Sequence, residues 1–356
     1  MPHASGYFKT DYAGELRLLE TRLQWAALVA LAVTLGVFPF VAPVFVVGIA
    51  NQVFIAIIGA AALMLLMGYA GQISLGHAGL LAAGALTTGI LFKETGAAIW
   101  ITLPASAAMG ALLGVIFGFP SLRLKGLYLA ITTLALHFVV AFIGGEYETR
   151  RGFSTGILLD PPSLGTFSLV EQLHWYFLLL AVDVLVMLFC LNLLRTRTGR
   201  ALMAVRDHDI VAEALGIPVR RYKLTAFVVS SSLTAVAGCL LAYYRSFVSI
   251  EAFTLYLTID YVAMVIIGGM GSMVGVVLGA VFVVTFPHII EGLVRMLPVP
   301  AAITNEVFAI NYAAFGLIMI LFLVFEPQGL VGIWRRVRNY FLLWPFRQTA
   351  VGGGGV

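Results

Sequence analysis

The sequence predicts an all-α, polytopic membrane protein of about ten transmembrane helices in two pseudo-repeated halves. Composition is the first reason. Of 356 residues, 61% are hydrophobic and only 11% charged, against about 25% charged in soluble domains, and the mean hydropathy is +1.01. That length holds roughly ten spans of about 20 residues with short loops. The second reason is the placement of cations. With both termini in the cytoplasm, sixteen of the 21 Lys and Arg fall on cytoplasmic segments. Only Lys93, Arg150, Arg151, Arg245 and Arg295 fall on the other side or near it, as the positive-inside rule requires. The third is a weak internal repeat. Gly68, Gly71, Gln72, Ser74, Gly76, His77 and Gly79 form an uncharged Gly/Ser-rich stretch, and Gly268, Gly269, Gly271, Ser272 and Gly275 form another. Each adjoins a short apolar run.

In chain order, residues 1–24 form a polar cytoplasmic leader. Leu16, Leu19 and Leu23 lie on one side of an amphipathic helix that rests on the membrane surface or extends the first span. The leader is too long and acidic for the n-region of a cleavable signal. The membrane domain occupies 25–325. Its apolar runs are Trp25–Ala42, Phe45–Met67, Ala78–Phe92, Ile99–Phe119, Leu127–Ile143, Trp175–Leu194, Leu224–Tyr244, Leu255–Gly269, Val274–Met296 and Phe308–Phe325. Residues 144–172 are an outer segment, and 326–356 a basic cytoplasmic tail. Gly110, Gly114 and Gly118 recur every four residues, the spacing of close helix contact.

Between the sixth and seventh runs lies a cytoplasmic loop, 195–223, in which charges crowd together: Arg200, Arg206, Asp207, Asp209, Glu213, Arg220, Arg221 and Lys223. Ala201, Leu202, Val205, Ile210, Val211, Ala214 and Leu215 form an apolar stripe on short helices, interrupted at Gly216 and Pro218. A floppy linker needs no such stripe. The loop is either an ordered coupling element or a basic loop that only fixes orientation.

Glu213-Ala214-Leu215-Gly216-Ile217 resembles the EAA loop of ABC importer permeases, although Leu215 stands where the general signature has a second Ala. Gly68–Ala85, Leu122–Leu136 and Gly268–Ala280 resemble the signature blocks of the branched-chain amino acid (Liv) permease family, over about residues 45 to 330. The length and leader are similar to the M-type subunit. The resemblance implies a permease without its own ATPase site, importing branched-chain amino acids or related small solutes by alternating access. It implies an H-type permease mate in a heterodimer, two cytoplasmic ATPases that hold ATP-Mg, and an extracytoplasmic solute-binding protein. It implies a multi-pass protein of the prokaryotic inner membrane. It also makes the loop a coupling helix, with Arg200, Arg206, Glu213, Ala214, Gly216 and Lys223 as the residues that transmit the ATPase stroke.

Candidate pathway residues are the uncharged block Gln72, Ser74, Gly76, His77 and Gly79, its counterpart Gly268, Gly269 and Gly271, and Thr132, Thr133, His137 and Asp260. Gly-interrupted short segments in corresponding halves point to a transport pathway; close helix packing explains the same glycines. His137 lines the pathway or bonds a backbone carbonyl. Asp183 is read as a structural hydrogen-bond or ion-pair partner, and His288 and Glu291 as a pair three residues apart. An ion-coupled secondary transporter would rely on Asp183 and Asp260 and would leave the ordered loop unexplained. A membrane enzyme lacks a nucleophile–base constellation. No Walker A or HExxH sequence occurs, no residues have metal-ligand spacing, and the net charge of +4 reports topology, not nucleic acid. Cys190 and Cys239 lie in apolar runs and read as buried thiols.

Overall fold

The structure, a computed structural model, describes residues 22–122, 126–153, 156–164, 167–296, 307–326 and 328–343. Nearly all of the leader therefore lies outside the described residues, as do Arg123, Lys125 and the end of the tail. Among the described residues the elements are helices and four two-residue strands.

Helix α1 (Arg22–Val41) stops short of Pro43, which opens α2 (Val44–Leu63). Helix α2 is apolar all round and buried along most of its length, the pattern of a central helix. It ends in a π-helical turn, Met64–Tyr69. Helices α3 (His77–Thr95), α4 (Ile99–Ser121) and α5 (Leu127–Arg150) follow. Strand β1 (Ile157–Leu158) and the β2–β3 hairpin (Ser163–Leu164, Phe167–Ser168) precede α6 (Gln172–Arg195). The polar loop holds α7 (Arg197–Asp207) and α8 (Asp209–Ala214). Helix α9 (Val219–Arg245) runs to β4 (Phe247–Val248), then come α10 (Leu255–Gly268), α11 (Met273–Met296), α12 (Val307–Phe325) and α13 (Gly329–Leu343).

Among the described residues, seven helices are long and apolar enough to cross a membrane, or eight if the bent pair α12–α13 counts as one span; α1 contributes a shorter apolar helix, Trp25–Val41. The expected ten exceeds this count. Helix α3 accounts for part of the gap: it packs inside the protein against α4, α5 and α9, so protein rather than lipid covers it and its Gly, Thr and His are admitted.

Small residues set the tightest packing. Gly110, Gly114 and Gly118 of α4 lie against Ser231, Val228 and Leu224–Phe227 of α9, so this series serves helix contact. Two sets of loops separate at opposite ends of the bundle. At one end β1 pairs with β4, Glu148 Oε1 accepts from Ile250 N at 3.0 Å, and Glu94 pairs with Arg151 at 3.1 Å. At the other, the 68–72 stretch, the 195–223 loop and the 269–271 turn meet. Both cysteines are buried and free.

Candidate functional site

The polar loop is ordered because each end is tied to the core. Thr196 caps α7, its side chain accepting from Gly199 N at 3.4 Å, and Gly199 sits directly on the backbone of Leu194. Ala201, Leu202 and Val205 are buried, with Leu202 in a cluster with Leu66, Ala70, Ala226 and Phe227. Arg200 Nη1 donates to Arg195 O at 3.1 Å. Lys223 at the root of α9 pairs with Asp209 at 3.5 Å, and Gln72 Nε2 donates to Lys223 O at 3.1 Å. The turn after α8 closes at Gly216, whose φ of +83° is left-handed and favours glycine.

The expected apolar stripe divides in two. Its α7 half is buried, whereas α8 buries Ala212 and turns Ile210, Val211 and Leu215 outward, at 75%, 55% and 77% exposure. A six-residue helix has too little width to bury both sides, so its second apolar face stands at the tip of the loop with Ala214 and Glu213 beside it. The Glu213 carbonyl accepts from Gly216 N at 3.0 Å, but among the described residues its side chain makes no hydrogen bond or ion pair; the Asp209 side chain, not that of Glu213, ties the loop together.

Arg206 links loop to core. Its Nη1 donates to Gly68 O at 2.8 Å, and its Nε and Nη2 donate to Asp207 Oδ1 at 3.0 and 2.9 Å. Gly68 belongs to the π-helical turn, whose backbone bonds are displaced, and the guanidinium takes up its carbonyl. The same turn touches the second glycine stretch. Gly271 N donates to Met64 Sδ at 3.2 Å, and a Cβ on Gly68 would stand 3.0 Å from Gly271 N. A Cβ on Gly271 would stand 3.2 Å from Arg206 Nη1. The two glycine stretches, about two hundred residues apart, thus form one junction under the loop. Gly268 packs against Gly275 of α11, and Gly269 against Gln328.

The remaining pathway candidates occupy the helix-packing layer above the junction. Ser74 is buried and its Oγ accepts from Gly76 N at 3.4 Å. Gly76 lies against Thr133 O, and a Cβ on Gly79 would stand 2.6 Å from His137 Cα. Thr133 Oγ1 accepts from Leu75 N at 2.9 Å, and Thr132 Oγ1 donates back to Tyr128 O. His77 is wholly buried, with its ring 4.7 Å from that of Tyr261 and Nδ1 3.5 Å from Thr234 Oγ1. His137 makes no bond from Nδ1 among the described residues and lies edge-on to Phe138, so no backbone carbonyl satisfies that nitrogen. Asp260 lies apart, lining a cavity of about 190 Å³ with Tyr256, Glu291, Asn311 and Tyr312. Asp183 is buried with Oδ1 unpartnered, against the expectation of a bonded carboxylate. His288 packs edge-on against Phe45 at 5.7 Å and forms no described bond to Glu291. Among the described residues no group of His, Cys, Asp and Glu is placed to hold a metal.

Sequence reasoning missed Thr258, whose Oγ1 accepts from Ala78 N at 3.0 Å, and Met64, Tyr261 and Gly329. Thr258 carried a signal as the hydroxyl two residues before Asp260 in an apolar run. The others look like ordinary apolar or loop residues until the helices are assembled.

A helical membrane core with a glycine junction beneath an ordered charged loop defines a multi-pass transport subunit. The chain belongs to the permease component family of branched-chain amino acid transport systems, whose profile matches residues 45–324. It is 33% identical over 332 residues to the high-affinity branched-chain amino acid transport permease LivM of Escherichia coli K12, covering 86% of this chain and 75% of that one. It is 24% identical over 271 residues to a probable LivH permease of Methanocaldococcus jannaschii, covering 70% and 80%. It is 28% identical over 208 residues to the autoinducer 2 import permease LsrC of Enterobacter sp. strain 638, covering 56% and 57%. No solved structure matches the chain.

Proposed function

We propose that this chain is the M-type membrane subunit of an ATP-driven importer of branched-chain amino acids or related small solutes, coupled to two ATPases through residues 199–223. The observation that carries the coupling is the tip of the loop. Ile210, Val211 and Leu215 are exposed on a helix that Lys223–Asp209 and Arg206–Gly68 hold in place. An apolar patch on a fixed polar support marks a protein docking surface, and a fixed tip transmits displacement. Both termini and the loop lie in the cytoplasm, where the cation excess falls, and ten helices cross: α1 to α6 and α9 to α12. An H-type mate completes the pathway, the ATPases hold ATP-Mg, and a solute-binding protein delivers cargo to the face formed by 144–172. There Asp160 is exposed, whereas Glu148 is buried and structural. The glycine junction is the moving part of the pathway's inner end. The test is reconstitution with the partner subunits: uptake of labelled leucine driven by ATP, lost when Ile210→Asp and Leu215→Asp are combined while the permease pair still assembles. Full uptake by that variant overturns the coupling assignment.

A further inference from the structure

Past the last span the chain forms a helix with a distinctive division of labour. Glu326 follows α12, and α13 leaves at an angle of 50°. Its first turn is built into the glycine junction. Gly329 backs onto Ile267 and Gly269, where a Cβ would stand 2.6 Å from Gly269 N, and Val331 and Gly332 are buried. Beyond that turn the described side chains from Ile333 to Tyr340 are all exposed.

Those exposed residues are sorted by face. With 3.6 residues per turn, Ile333, Val337 and Tyr340 fall within about 60° of one another and Trp334 borders them, while Arg336 flanks them beside Tyr340, Arg338 lies beyond Trp334 and Arg335 lies on the opposite side. Ile333, Trp334, Val337 and Tyr340 are exposed at 40%, 61%, 44% and 59%. Arg336 reaches back to Glu326 at 3.0 Å yet stays 75% exposed. Three arginines exclude α13 as a membrane span. An apolar, aromatic face flanked and backed by arginines is the pattern of a helix lying in the bilayer interface, where Trp and Tyr rings settle and arginines reach anionic headgroups.

We propose that α13 lies in the cytoplasmic interface of the bilayer and binds anionic lipid headgroups through Arg335, Arg336 and Arg338, so that lipid charge bears on the glycine junction through the Gly329–Gly269 contact. The cytoplasmic side rests on the orientation proposed above; the lipid contact does not. The occupant is lipid because the patch is cationic and joined to a membrane-embedded core, whereas the tip of the polar loop, the docking surface for a protein, is apolar without a cationic face.

The experiment uses the complete transporter in phosphatidylcholine nanodiscs with and without about one-third phosphatidylglycerol, and carries a nitroxide at Val337→Cys attached before the partner subunits are added; the chain's own Cys190 and Cys239 are buried. The label is expected to be more accessible to oxygen than to a water-soluble nickel reagent, and phosphatidylglycerol is expected to raise substrate-stimulated ATPase activity by about twofold or more. Replacing all three arginines by Gln should flatten that lipid dependence, and replacing them by Lys should keep it, because headgroup attraction requires charge. Three results overturn the proposal: a label in water throughout, a label shielded by partner protein irrespective of lipid, or an unchanged lipid response in the Gln variant. If the same label in sealed vesicles reacts with impermeant reagent only from the outside while the lipid response persists, the orientation fails and the lipid site stands.

Discussion

Arg206→Ala is the perturbation that most directly tests how the loop is joined to the core. It removes the 2.8 Å bond to Gly68 O and the fork to Asp207 at 2.9 and 3.0 Å. A hydrogen bond from a charged group contributes about 1.5–3 kcal/mol. The Arg206 side chain is 37% exposed and Asp207 61%, so screening keeps the first contact near the lower bound and leaves the second at about 0–1 kcal/mol. We expect a loss of about 1.5 kcal/mol in docking of loop to junction, close to a tenfold fall in that equilibrium. The helices should remain assembled, because Leu202 and Val205 stay buried and Lys223 still holds Asp209. The assay is solute transported per ATP hydrolysed in proteoliposomes, with subunit assembly checked by co-purification. The ratio should fall by about two- to tenfold. Arg206→Lys keeps one donor but loses the fork, and should fall between. A fully assembled Arg206→Ala transporter with the wild-type ratio would refute the idea that this contact carries the stroke.

Other outcomes follow from the same geometry. Glu213→Ala should leave the thermal midpoint unchanged, because no described bond is lost, while lowering transport per ATP; a large fall in the midpoint would reveal a structural role. Gly216→Val should cost about 1–2 kcal/mol through its left-handed backbone, with Gly216→Asn milder, read as thermal shift; equal stability of both would contradict the turn geometry. Gly84→Ala should destabilise by about 1–3 kcal/mol, since its Cβ would strike Ala235 O, whereas Gly292→Ala meets nothing within 4 Å and should be neutral. Leu158→Cys, at a position 70% exposed beside β4, should react with impermeant maleimide from outside, and Glu213→Cys from inside; the reverse pattern would invert the topology.

Composition and pattern alone determined the membrane class and the family. The first is a property of the chain's interaction with solvent: apolar runs partition into lipid, whatever the helices do to one another. The small-residue series Gly110–Gly118 was legible for the same reason, since its period is that of a single helix. What touches what was decided by tertiary packing. Two glycine stretches in distant parts of the sequence meet because α2 ends in a π-helical turn against the α10–α11 turn, and no local pattern encodes that approach. Arg206 and Glu213 are both charged residues of one loop, yet among the described residues only the Arg206 side chain meets a partner, because α7 aims it at the Gly68 carbonyl of the π-helical turn. The apolar stripe of the loop was visible as a stripe, but which half faces the core depends on α8 being too short to bury both sides. The basic tail likewise read as charge alone, and its amphipathic helix gained meaning when Gly329 was found against Gly269, where two backbones come close enough that neither position admits a side chain.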